Sequence, residues 1–118
     1  LGPTMLSVAA TPPYVAVIFS SIRNTPEPGV DDGYNATAQQ MEKLARQQPG
    51  FLGLRSVRDP DTYFGITVSY WVDEAAAQDW KSVQEHLVAQ QKGRNKWYAC
   101  YQIEVAKVTK NYGFSQDL

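Results

Sequence analysis

One cysteine, one histidine and almost no net charge are what this chain has least of, and each scarcity closes off some chemistry. The lone Cys100 has no partner for an internal disulfide, which points to a reducing, cytoplasmic setting. It falls within a predicted buried strand, where packing is its simplest role. A single histidine and a single cysteine, far apart in sequence, make no zinc site. Eleven Lys and Arg offset twelve Asp and Glu, for a net charge of -1. They form no basic stripe of the kind that neutralises phosphates, so no nucleic-acid partner is expected. No apolar run reaches the ~18–20 residues of a membrane span, and no charged segment leads into an apolar one as in a secretory signal. Glycine-rich phosphate loops, Gly-x-Ser-x-Gly elbows and dinucleotide fingerprints are missing as well. The expectation is therefore no cofactor and no metal. Any chemistry must rest on side-chain acid–base groups and on the substrate's own reactivity.

What is present is a hydrophobic fraction of 43% with 12% aromatics over 118 residues, the composition of one globular domain. Residues 1–12 lack periodicity and read as a loose arm, with Leu1-Gly2-Pro3 taken as a tag remnant; residues 13–118 form the domain. Tyr14 to Arg23 is β-branched and aromatic, as in a strand. Two prolines and Gly29 follow in a turn. Asp31 or Asp32 opens a helix, which Pro49-Gly50 ends. Phe51 to Arg58 and Tyr63 to Val72 make a hairpin about Asp59-Pro60-Asp61. Asp73 caps a second helix running to about Lys92, whose stripe is Ala76, Trp80, Val83, Leu87 and Gln90. Trp97 to Lys110 is the last strand. The order β-α-β-β-α-β predicts a ferredoxin-like α+β fold: a four-stranded antiparallel sheet with two helices on one face.

A sheet covered on one face and wet on the other alternates apolar and polar residues. Here neither set alternates so. Val15, Val17 and Phe19 share one face of the first strand, and Tyr14, Ala16, Ile18 and Ile22 the other. On the third strand Phe64, Ile66, Val68 and Tyr70 oppose Tyr63, Gly65, Thr67, Ser69 and Trp71. Two helices cover one side only, so a second copy is expected on the other, a homodimer through facing sheets. Burying that face contributes roughly 25 cal/mol per Å² before association costs.

These residues resemble a known family. Pro49-Gly50-Phe51-Leu52-Gly53, Arg58-Asp59-Pro60-Asp61, Gly65 to Trp71, Glu85-His86 with Ala89-Gln90, Gly93-Arg94, Trp97-Tyr98, Tyr101 and Tyr112-Gly113-Phe114 are similar to antibiotic biosynthesis monooxygenase (ABM) domains. The likeness covers about Tyr14 to Phe114 and is greatest to an uncharacterised bacterial subgroup. It implies a dimeric α+β barrel. One branch of that family degrades haem with an Asn on the first strand and a Trp and a His on the second helix. Trp80 and His86 match in type, but the first strand carries Ser20, Ser21 and Ile22 where the Asn is needed. Another branch oxidises polycyclic phenols to quinones without metal or flavin, in a pocket of Trp, Tyr and Arg.

All three tryptophans and four of the seven tyrosines lie between Gly65 and Phe114. They are either an aromatic core or a pocket lining. In the pocket reading His86 is the base, placed about 70° from the centre of the expected stripe. Arg94 holds a phenolate or carboxylate, or pairs with Glu85 or Glu104. Trp80, Trp97 and Tyr101 form the wall, Phe64 and Tyr70 extend it, and Tyr34 closes the opposite side. The expected function is cofactor-independent oxidation of a small aromatic or hydrophobic molecule held between sheet and helices. Haem binding or degradation, non-catalytic ligand binding, and a plain dimer with an all-core aromatic set are the alternatives.

Overall fold

The computed structural model describes residues 8, 10–25, 27–31, 33–91, 97–114 and 116. In them β1 (Tyr14–Arg23), α1 (Tyr34–Gln47), β2 (Phe51–Arg58), β3 (Phe64–Trp71), α2 (Glu74–Gln91) and β4 (Tyr98–Val108) follow in the expected order. The strands make one antiparallel sheet, β2-β3-β1-β4. With two helices this is the ferredoxin-like α+β fold.

The central strand β1 pairs on both sides, with Val17 opposite both Ser69 and Val105. Its β-branched residues suit this doubly flanked position. Val15, Val17 and Trp71 on the sheet meet Ala45 of α1 with Ala77 and Trp80 of α2 in the main core. Ala45 and Ala77 are fully buried, and their small size lets both helices lie close to the sheet. Trp71 stacks on Trp80 at 5.7 Å between ring centroids and meets Phe51 edge-on. Its indole N–H donates to Ser69 Oγ at 2.9 Å, so the fully buried ring leaves no polar atom unpaired.

The helix and strand ends show where local signals held and where they yielded. Asp73 caps α2: its Oδ1 accepts the Ala76 N–H at 2.9 Å. The expected Asp cap on α1 is replaced. Gly33, at φ 79°, is the N-cap and makes no side-chain cap bond. Asp31 Oδ1 instead accepts the Gly33 N–H at 2.9 Å, shaping the turn before the helix, while Asp32 lies outside the described residues. Gly50, at φ +84°, ends the α1 connection, and a Cβ there would sit 2.8 Å from that of Ala76. Strand β3 begins at Phe64 rather than Tyr63, because Tyr63 takes a left-handed φ of 63°. The Asp59 carboxylate ties this turn by accepting from the N–H groups of Asp61 and Thr62 and the Thr62 hydroxyl. Chiefly the Thr62 hydroxyl holds the Asp59 carboxyl below its ordinary range.

Two bulges change which residues share a face. In β2, Phe51 pairs with Trp71 and Gly53 with Tyr70, so Leu52 is the extra residue. In β4, Cys100 pairs with Ile22 and Tyr98 with Arg23, so Ala99 is extra. The second bulge brings Tyr98 and Tyr101, three apart, onto the helix side.

On the opposite side of the sheet, Tyr14, Ala16 and Tyr70 form a smaller cluster with Ile18, Leu52, Val68 and Val108. Val8 and Ala10, among the few described residues of the N-terminal arm, pack onto it. Beyond their reach Ile22, Phe64 and Ile66 are 39%, 44% and 38% exposed. No described helix is long and apolar enough to cross a membrane.

Candidate functional site

A cavity of about 310 Å³ lies between the helix side of the sheet and the two helices, at the lower end of the size range of ligand pockets. Phe19 of β1 and Leu54 of β2 supply apolar floor, and Met41 of α1 with Trp80 and Val88 of α2 supply apolar wall. Trp97 and Tyr98, where β4 begins, close one end. The aromatic rings brace one another. Tyr34 meets Trp97 and Tyr98 edge-on at 5.8 and 5.9 Å, and Phe19 meets Tyr98 at 5.3 Å.

Helix α1 adds polar lining with Asn35, Thr37, Gln39 and Glu42, the last paired with Arg46 at 2.9 Å, and three further polar groups bear on a guest. The first is Arg58, at the end of β2. Its Nη2 donates to Ser21 Oγ at 2.8 Å and to the Tyr34 hydroxyl at 3.4 Å. Its Nη1 donates to the backbone carbonyls of Tyr63 and Ser21. All these partners are neutral oxygens, and no described carboxylate pairs with this guanidinium. Its seat depends on Gly65 across the hairpin, where a Cβ would lie 2.6 Å from the Arg58 Cζ. The Tyr63 carbonyl also accepts the Arg23 N–H at 3.1 Å, so the left-handed turn at Tyr63 directs one oxygen at both arginine residues. The Arg23 guanidinium covers the Tyr34 ring at 3.7 Å.

The second polar group is the Tyr34–Tyr98 pair. Burial pushes the Tyr98 phenol well above its usual range, and the hydrogen-bonded Tyr34 phenol beside it adds to this. Tyr98 is therefore a neutral hydroxyl at any physiological pH. Ser56 and Thr67, whose hydroxyls lie 2.7 Å apart across β2 and β3, extend this polar strip along the floor.

The third is Gln84. It is 5% exposed, lies on the buried stripe Ala77, Trp80, Gln84, Val88 of α2, and lines the cavity. Its Oε1 is buried and has no hydrogen-bond partner among the described residues.

Of the site residues expected from sequence, the structure gathers Tyr34, Trp80 and Trp97 on the cavity. Tyr101 stands on the same sheet face, stacked on Phe19 at 5.4 Å, but behind it and outside the lining. Phe64 and Tyr70 lie on the opposite face, since the helices cover the alternate residues Gly65, Thr67, Ser69 and Trp71. Tyr70 there meets Tyr14 edge-on and receives a hydrogen bond from Arg55. His86 is exposed and does not line the cavity. It lies two residues from Gln84, roughly 160° around the helix. Glu85, an expected partner of Arg94, pairs with Lys81 at 2.9 Å; Arg94 itself lies outside the described residues. Sequence reasoning missed Arg58, Gln84 and Tyr98. Arg58 carried a signal, a cation opposite a glycine across a short hairpin, but by sequence it stands only as the last residue of the second strand and part of the Arg58-Asp59-Pro60-Asp61 motif.

The fold and cavity define a small α+β protein with an aromatic, polar-tipped chamber beneath two helices. The sequence profile of the antibiotic biosynthesis monooxygenase family matches residues 17–92. A Bacillus subtilis (strain 168) relative, "Uncharacterized protein YqjZ", is 46% identical over 112 residues, covering 95% of this chain and 94% of its own length. The chain belongs to the ABM family. Solved structures share its fold at low identity. NE2512, a protein of unknown function from Nitrosomonas europaea, matches with a TM-score of 0.62 at 14% identity, over 88% of this chain and 97% of its own. SnoaB from Streptomyces nogalater, a cofactor-independent oxygenase, matches with a TM-score of 0.55 at 15% identity, over 91% of this chain and 100% of its own.

Proposed function

We propose that this protein is a cofactor-independent monooxygenase for a small aromatic substrate bound between sheet and helices. The observation that carries the reading is the cavity itself, with aromatic walls and a guanidinium at one end that has only neutral partners. A phenol placed beside Arg58 ionises more readily, because a nearby cation stabilises the phenolate. The phenolate is electron-rich enough to reduce O₂ once water is excluded. For an activated ring methylene, one oxygen atom stays on carbon as a carbonyl, and the other leaves with the two hydrogens as water. The nature of the SnoaB fold neighbour supports this reading, as does the family. His86 sits away from the cavity, so the phenol proton passes to water in this scheme. The haem alternative loses its support for the same reason.

Oxygen uptake with a panel of hydroxyarenes tests the reading. Uptake with at least one of them, lost in Arg58→Met and kept in His86→Ala, is expected. A cavity that binds the panel without oxygen uptake would make this a ligand-binding protein instead.

The exposed Ile22, Phe64 and Ile66 support a homodimer through the uncovered sheet face. Sedimentation showing a 13.2 kDa monomer at micromolar concentration would remove that inference. Cys100, expected to be buried for packing, is exposed on β4 instead, and an exposed free thiol suits a reducing compartment, in keeping with a cytoplasmic setting.

A further inference from the structure

Gln84 lines the cavity, and its buried oxygen, unpartnered among the described residues, is the feature that binding of an aromatic anion leaves unexplained. A buried amide oxygen without a donor is costly, and native proteins seldom keep one. A helix stripe of Ala77, Trp80 and Val88 would pack more simply with leucine at its centre. Gln84 is only 5% exposed, its Oε1 is orphaned, and its side chain lines a cavity with room for a guest. Amide oxygens accept hydrogen bonds only. A donor that reaches it, whether water or an O–H or N–H group of a guest, removes that cost.

Arg58 states the complementary requirement. Its partners are the Ser21 hydroxyl, the Tyr34 hydroxyl and two backbone carbonyls, all neutral. The neutral Tyr98 phenol stands near it, and no described carboxylate pairs with it. A second hydroxyl pair, Ser56 and Thr67, runs along the same floor. The lining between these groups is Phe19, Leu54, Met41, Trp80 and Trp97, which admits a flat apolar body.

We propose that Gln84 is a specificity-determining residue, whose Oε1 accepts a hydrogen bond from a hydroxyl or N–H of the substrate while Arg58 holds an acidic oxygen of the same molecule. The substrate class is thus a one- or two-ring arene bearing both an acidic oxygen and a separate hydrogen-bond donor. This rests on the reading of the cavity as the ligand site. A chamber of about 310 Å³ favours that size over larger polycyclic bodies.

Titration calorimetry with four probes tests it: 6-hydroxy-2-naphthoate, 6-methoxy-2-naphthoate, 2-naphthoate and 2-naphthol. The hydroxy acid carries both groups; the methoxy and unsubstituted acids lack the donor; the naphthol lacks the carboxylate. Wild-type protein is expected to bind the hydroxy acid about tenfold or more tightly than either donor-free acid. In Gln84→Leu that preference should vanish, with 2-naphthoate binding kept or improved. In Arg58→Met and Arg58→Lys the carboxylate-dependent gain over 2-naphthol should shrink, most in the methionine variant. Equal affinity of the three acids for wild type, or a preference that survives Gln84→Leu, overturns the Gln84 assignment and leaves the cavity reading standing. Failure of all four to bind a folded wild-type protein overturns both. Oxygen uptake is not part of this readout, so loss of the monooxygenase reading alone leaves the recognition result intact.

Discussion

On the helix-covered side of the sheet, Ser21, Ser56, Arg58, Thr67 and Ser69 interrupt an apolar floor. On the uncovered side, Ile22, Phe64 and Ile66 continue one. The two faces are alternate residues of the same strands, so composition along the chain is nearly the same for both. The difference lies in what covers them. Helices touch the first face only along part of its length, where Ala45, Ala77 and Trp71 bring them close. Beyond that contact the face holds a chamber, and its polar groups find partners in one another or await a guest. The second face also carries polar residues, since the strand register places Ser20, Arg55, Gln102 and Glu104 on it, and Val8 and Ala10 cover only one end. No described helix lies over it, so no chamber forms there between two layers. In the proposed reading a small molecule occupies the covered side and a second copy packs on the other.

The two faces should differ most at Trp71. Trp71→Ala on the covered face is expected to cost about 3–5 kcal/mol, since a fully buried ring stacked on Trp80 leaves a cavity. Phe64→Ala on the uncovered face should cost under about 1 kcal/mol in dilute protein and more as concentration rises, if a second copy covers it. Denaturant unfolding of both variants at two concentrations checks this. Equal, concentration-independent costs would mean that the two faces do not differ in kind.

Gly65→Ala sharpens the chamber side. The added methyl meets the far end of a flexible arginine, so the melting temperature should change little. The guanidinium must nonetheless leave its seat against Ser21, and binding of 2-naphthoate should weaken by about tenfold, the scale of a charge-assisted hydrogen bond. A variant that keeps full affinity would show that Arg58 does not face the ligand from this position.

Gln84→Leu should raise stability, by about 1 kcal/mol, because it removes an unsatisfied buried acceptor and keeps the stripe apolar. Thermal unfolding without ligand reads this directly. A large loss instead would mean that Gln84 holds the helix in place and is not reserved for a guest.

The smallest effect concerns pH. The Tyr98 phenol is raised above its ordinary value of 10.0 by burial, so the unfolded chain loses this proton first as pH rises. Stability from this group is complete below about pH 10 and declines above it. Tyr98→Phe should flatten the alkaline limb of a stability–pH curve and leave the neutral region unchanged in slope. An identical alkaline limb in both proteins would place Tyr98 in contact with solvent.

Much of the fold was legible along the chain. Strand β1 and strand β2 begin and end where composition and turn residues put them, and the order of six elements follows from hydrophobic spacing and from Gly and Pro punctuation. The alternation that parted Val15, Val17 and Phe19 from Tyr14, Ala16, Ile18 and Ile22 on β1, and Phe64, Ile66, Val68 and Tyr70 from Gly65, Thr67, Ser69 and Trp71 on β3, is a consequence of strand geometry alone. Among site residues, Tyr34, Trp80 and Trp97 were found because large aromatics on amphipathic elements must point inward. Phe64 and Tyr70 were grouped with them because alternation tells which residues share a face, but not which face the helices choose.

What the sequence by itself determined is therefore local: element type, element order, and the parity of each regular strand, because these depend on neighbours a few residues apart. Three matters were decided only by tertiary structure. The bulges at Leu52 and Ala99 reset parity, and so brought Tyr98 inward beside Tyr34, through pairing with strands far away in sequence. The rotation of α2 put Gln84 inside and His86 outside, shifting the buried stripe from the expected Ala76, Trp80, Val83 and Leu87 to Ala77, Trp80, Gln84 and Val88, because Ala77 and Trp80 had to meet Trp71. And the hairpin laid Arg58 across Gly65, where the absent side chain makes room for a guanidinium. Each depends on a close approach between segments distant in sequence, which only packing the sheet against the helices brings about.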